Sequence, residues 1–185
     1  VIKVSEEGLA RANAALQRVP GAFPRAVASA ANRAADGMRT DAVRETKEKY
    51  FVKAGDVRKT ITFRKATAGS MIAEMISRGK RKGLREYKLS PASPRRGQRP
   101  QLKGAVKRSG GLKPLGPAFL VRRGSGYVPF YRTGKGRWSM EGLVSPSIPQ
   151  IVKNKETVKV IETKGAERFE KRLDHEVLRL LGVTR

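Results

Sequence analysis

The charge of this chain is segregated, and the segregation limits where a core can form. Between Phe51 and Met140 there are 23 Lys and Arg residues against three acids, Asp56, Glu74 and Glu86. Residues 1–50 hold 9 basic and 6 acidic side chains and residues 141–185 hold 9 and 7, so the formal +25 divides as +3, +20 and +2. A folded middle with that excess repels itself unless an anionic surface stands nearby. Hydrophobes are also sparser there than at either end, so the helical-looking ends of ordinary charge must supply most of the core. The implied partner is nucleic acid or an acidic protein surface, and composition leaves both open.

At 185 residues, 38% of them apolar, the chain is expected to form one domain over 1–185 with a real core. It contains no cysteine, which removes disulfides, thiolate nucleophiles and cysteine-ligated metals together. No run approaches the roughly 18 apolar residues of a membrane span, and no signal-peptide pattern opens the sequence. Because Val1 is not a start methionine, a residue or two is expected to precede it. The expectation is a soluble, internally expressed protein with no membrane partner.

Residues 1–50 read as helical. Ser5 to Arg18 has an N-cap serine, Glu6 and Glu7 in the first turn, and Leu9, Ala12 and Leu16 on one face. Val19-Pro20-Gly21 interrupts it. A longer helix then runs from about Ala22 to Lys49, with Phe23, Val27, Ala30, Ala34, Met38 and Ala42 recurring every three or four residues. Its face is mostly alanine, so whatever packs there approaches closely. Asp41 with Glu45, and Arg44 with Glu48, are expected on a solvated opposite face, and Gly37 marks a bend or a tight contact.

Residues 51–140 form a basic strand-and-loop part. Tyr50 to Lys59 holds one more helical turn, and Thr60–Arg64 with Met71–Ile76 suggests a hairpin about Gly69-Ser70. Leu84–Leu89, Leu102–Val106, Ala118–Arg122 and Tyr127–Tyr131 are further strand candidates, and Pro129 argues for an edge position in the last. Pro91 to Pro100 is a loop by composition. Residues 141–163 are expected to be an extended, proline-containing strip that includes a short strand at Val158–Ile161. A final helix, 164–182, carries Ala166, Phe169, Leu173 and Val177 on one stripe and stops at Gly182. The fold class is therefore α+β: a small mixed or antiparallel sheet packed by a long N-terminal helix and a C-terminal helix, with long basic loops.

Catalytic chemistry finds little support. The single histidine, His175, falls off the apolar stripe of the last helix and reads as an exposed helix residue, since a general base needs a positioned partner. Without cysteine or more histidines a zinc site is not expected, and three scattered central carboxylates suit neither a glycosidase pair nor a magnesium site. Arg108-Ser109-Gly110-Gly111 and Gly134-Lys135-Gly136 lack phosphate-loop spacing and read as turns. No catalytic residue, cofactor, metal or small-molecule substrate is assigned, and no enzymatic activity is expected.

The basic clusters carry the interaction chemistry. Arg78, Lys80, Arg81 and Lys82 lie within five residues, Arg95, Arg96 and Arg99 follow in the proline-rich loop, and Arg122 and Arg123 precede a glycine turn. Such clusters neutralise phosphates without reading sequence, or clamp acidic subunits. Tyr127, Phe130, Tyr131 and Trp138 stand beside them. Aromatic–arginine interleaving can stack on bases, but large aromatics also form hairpin cores and anchor subunit interfaces. The last two roles fit the strand-like Val128-Pro129 better.

Several segments, in collinear order over roughly residues 19–140, resemble the minor tail protein Z, or tail-completion, family of long-tailed bacteriophages. They are Val19-Pro20-Gly21-Ala22, Ala31-Asn32-Arg33-Ala34, Val43-Arg44-Glu45-Thr46-Lys47, Gly97-Gln98-Arg99 with Leu102-Lys103-Gly104, Pro117-Ala118-Phe119, and Gly136-Arg137-Trp138. The ordered set carries the resemblance. It implies a structural virion protein made in the host cytoplasm and placed at the head-proximal end of the tail. The partners it implies are the tail terminator, tail tube or head–tail connector proteins, further copies of itself in a ring, and the end of the genomic DNA. The other reading is a free, sequence-independent nucleic-acid-binding protein.

Overall fold

Two long antiparallel helices carry the architecture, and alanine is the reason they lie so close. A computed structural model of the chain describes residues 5–93 and 101–183. Helix α1 (Glu6–Leu16) starts at Ser5, whose hydroxyl accepts from the Gly8 N–H at 3.2 Å. Gly21, at φ 66°, makes the left-handed turn into α2 (Ala22–Lys49). Along α2, Ala22, Ala26, Ala30 and Ala34 recur every four residues and are buried. The C-terminal helix α5 (Lys155–Leu180, numbered after the short α3 and α4 below) brings Phe169 and Leu173 onto this stripe, and α1 adds Ala12 and Leu16. A second core surrounds Ala42 and Val43 of α2. It gathers Val57 of α3 (Ala54–Thr60) and Ile148, Ile151 and Val152 of α4 (Ile148–Val152).

The C-terminal third corrects the expectation. Val158–Ile161 is not a strand but the first turns of α5, which Asn154 caps by accepting from the Glu156 N–H at 3.1 Å. Local β-branching favours a strand, yet Thr157, Ile161, Gly165, Phe169 and Leu173 are four apart and all buried. Packing along that stripe outweighs a propensity term of a few tenths of a kcal/mol per residue. The strip expected over 141–163 is likewise not extended throughout, because α4 interrupts it. Ser147 and Gln150 form a reciprocal capping box, and Pro149 sits in the first turn, where its missing N–H costs nothing.

The α+β class stands, and the strands divide among four small antiparallel sheets. Strands β1 (Ile61–Arg64) and β2 (Glu74–Ser77) form the expected hairpin, with Phe63 opposite Met75. Strand β3 (Lys82–Gly83) pairs with the distant β10 (Val144–Ser145). Leu84–Leu89 is not one strand: a 3-10 turn at Leu84–Glu86 folds Leu84 and Tyr87 inward before β4 (Lys88–Ser90) begins. β4 joins β5 (Lys103–Ala105) and β6 (Lys113–Pro114). The last sheet orders β7 (Phe119–Arg123), β8 (Gly126–Arg132) and β9 (Met140–Gly142), so Pro129 lies in a central strand rather than an edge. Its carbonyl accepts from the Leu143 N–H at 2.9 Å, one residue past the end of β9. The absent donor therefore falls where the ladder stops.

A second correction concerns α2. Asp41 and Glu45 are not on a solvated face; both are buried against α5. Arg168 Nη1 donates to Asp41 at 2.8 Å and Lys164 Nζ to Glu45 at 3.2 Å, while the exposed end of the ladder is Lys49 with Glu156. At the far end of α5, Glu176 is buried beside Arg179. Burial works against its charge, but hydrogen bonds from Arg179 and Ser29 outweigh it and hold the carboxyl below its usual pKa. A depressed folded-state pKa contributes stability above the ordinary carboxylate range that is lost as pH falls through the depressed value. Thermal melts from neutral pH to about pH 3 should fall less steeply for Glu176→Gln than for the native chain. Parallel curves would assign the acid sensitivity elsewhere.

Candidate functional site

The surface between β2 and β3 collects the first basic cluster. Arg78, Lys80 and Arg81 are exposed, and the Arg78 N–H donates to the Thr60 carbonyl at 2.8 Å, which anchors the start of the segment. Lys82 differs from its neighbours. It is half-buried in β3 and bridges Asp56 of α3, at 3.2 Å, and Glu86. Burial opposes its charge, yet the hydrogen bonds to Glu86 and Asp56 prevail and raise its pKa. It ties α3 to the 3-10 turn, so its charge is already matched. Arg95, Arg96 and Arg99 lie outside the described residues.

Arg122 and Arg123 end β7 at the tight turn into β8, both exposed, with Arg122 opposite Tyr127. The sheet alternates as strands must, so Phe119, Val121 and Arg123 share a face with Val128, Phe130 and Arg132. Arg123 lies 5.7 Å from the Phe130 ring centroid and Arg132 lies 5.5 Å from that of Phe119, so two guanidinium groups cover the aromatics of this face. Tyr127 and Phe130 are half-buried, and neither belongs to the two core clusters. Tyr131, on the opposite face, is exposed and donates its hydroxyl to Glu141 at 2.7 Å, a bond that raises its pKa. Trp138 is 77% exposed, which removes it from any core of the isolated chain.

Two further features have no local signature. Phe51 is flanked by Lys88, 4.9 Å from its ring centroid, and by Arg108, 4.6 Å away. The Arg108 Nε donates to the Lys47 carbonyl at 2.9 Å, and the cleft of about 460 Å³ there is lined by Arg44, Lys47, Glu48 and Arg108. Its cations come from segments some sixty residues apart, so no sequence window contains them. The second is an apolar groove of about 1120 Å³ walled by Val27 and Met38 of α2, Met71 and Met75 of the β1–β2 hairpin, and Ile161 and Phe169 of α5.

Among the described residues no three His, Asp or Glu side chains are grouped to hold a metal ion, and no described helix is long and apolar enough to cross a membrane. The arrangement offers charge and contact area. Within the described part of residues 51–140, Arg64 pairs with Glu74, and Lys82 pairs with Asp56 and Glu86. Those pairs use all three carboxylates of the segment, so nearly all of its positive charge is left for an external anion.

The family model described as prophage minor tail protein Z (GPZ) matches residues 7–185, nearly the whole chain. Comparison with curated proteins and with solved structures found no match.

Proposed function

As the chain belongs to the prophage minor tail protein Z family, it is a structural protein of the virion tail, and we propose that it completes the tail at its head-proximal end and takes part in head–tail joining. It acts as a ring subunit beside the DNA conduit, against the tail terminator, tail tube or head–tail connector proteins. The observation that supports this reading is the central cationic surface, which is almost unmatched by the carboxylates of its own segment. Exposed Arg78, Lys80, Arg81, Arg122 and Arg123 suit the terminal DNA segment or an acidic neighbouring subunit. Lys82 is a brace between elements of the same chain.

A free, sequence-independent nucleic-acid binder is the second reading, favoured by the same exposed cations. Salt separates the two, because phosphate binding weakens steeply as counterions compete. Quantitative mass spectrometry on density-banded particles, before and after a high-salt wash, should find a small fixed copy number that the wash leaves unchanged. Absence from particles, or release by salt, would turn the assignment to the nucleic-acid binder.

A further inference from the structure

We infer that the Trp138 tip of the β8–β9 hairpin inserts into the α2–α5–hairpin groove of a second copy of this chain, forming a head-to-tail contact. The inference rests on the ring reading above and assigns the surfaces that would build it.

The tip is a preformed knob. Thr133 N–H donates to the Ser139 carbonyl at 3.0 Å, Ser139 N–H to the Gly136 carbonyl at 3.1 Å, and Arg132 Nη1 to the carbonyls of Gly136 and Arg137. This loop presents the chain's one tryptophan, 77% exposed, with Arg137 5.5 Å from its ring. A tryptophan buries about 150–250 Å² when enclosed, so holding one in water by a bonded loop leaves a large contact area unused. Three cations, Arg132, Lys135 and Arg137, surround it.

The groove is a preformed hole of opposite character. Asn32 clasps Ala66 from both sides, donating to its carbonyl at 2.9 Å and accepting from its N–H at 2.8 Å, which fixes the hairpin against α2. The hairpin then holds Met71 and Ile72 open to solvent, at 45% and 67% exposure. At about 1120 Å³ the groove exceeds the roughly 300–1,000 Å³ of small-ligand pockets and admits a loop tip. In a chain of net charge +25, its described lining carries Glu74 and Glu162 against Lys153 alone. Glu74 already faces Arg64 at 3.2 Å, but both side chains are solvated and such a pair is weak. A cationic tip therefore meets an apolar surface whose own lining is net acidic. Two tips would repel each other, which disfavours an isologous contact. No residue of the β7–β8–β9 sheet lines the groove, so knob and hole are separate surfaces, as a heterologous ring requires.

The chain has no cysteine and one tryptophan, which makes the test direct. Ile72→Cys and Thr133→Cys chains, purified separately, are mixed and treated with a short bis-maleimide. Light scattering reports association, and tryptophan emission reports burial. The expected result is a mixed Ile72→Cys/Thr133→Cys cross-link, with emission shifting to the blue as the chain associates. Trp138→Ala should keep the native melting temperature and weaken association about tenfold or more. Association without the mixed cross-link would overturn this contact and leave the ring reading standing. A chain that stays monomeric would overturn both. An emission shift that requires added duplex DNA would give the tip to nucleic acid and likewise overturn the contact.

Discussion

Asp41→Ala should destabilise the chain by about 3 kcal/mol, the low end for breaking a buried ion pair, because its partner Arg168 is one-third exposed. The Asp41 side chain is 3% exposed and binds Arg168 on one oxygen at 2.8 Å and Arg44 on the other at 3.0 Å. Arg168 reaches it by crossing α2 at Gly37. A Cβ at position 37 would lie 2.5 Å from Arg168 Cδ and 2.6 Å from Cζ, so the guanidinium would have to leave. Gly37→Ala should therefore not deliver the usual gain of about 1 kcal/mol in a helix interior. In an Arg168→Ala background the same change should stabilise. Urea denaturation of the four chains in this cycle measures the coupling; additive effects would show that the glycine does not serve the ion pair.

Simultaneous reversal of Arg78, Lys80 and Arg81 to glutamate should abolish incorporation into tails while leaving stability within about 1 kcal/mol, since all three are exposed surface positions. If the partner is DNA, the log–log salt slope of duplex binding should fall by about 2 to 3, close to 0.9 for each phosphate no longer neutralised. Native incorporation by the triple variant would remove this segment from the proposed interface. Lys82→Glu provides the contrast. It would place three carboxylates where Asp56, Lys82 and Glu86 now balance, so it should fail through stability instead.

The helices are legible in the sequence because their signals are local. Ser5 before Glu6-Glu7 and the alanine repeat of α2 act within one or two turns, and the chain folds as they indicate. The β1–β2 hairpin is legible for the same reason. Sequence and structure part where a local rule meets a distant partner. Val158–Ile161 looks like a strand until its spacing is continued to Leu173, and Pro129 looks like an edge residue until β9 is seen to end beside it. Of the candidate contact residues, Lys82 is indistinguishable from Lys80 or Arg81 in a run of like charges. Only the placement of Asp56 and Glu86 makes it a brace.

Periodicity, capping and composition, all properties of neighbouring residues, determined three things in this protein: helical ends, a cationic middle and an α+β class. Tertiary structure decided which charges are matched inside and which remain for a partner. Asp41 meets Arg168 across 127 positions and Glu45 meets Lys164 across 119, so the same carboxylates that look solvated in sequence are enclosed in the fold. It also decided that Trp138 stands in water while an apolar groove lies open elsewhere. Burial depends on what the rest of the chain brings to a side chain, and no window of adjacent residues contains that information.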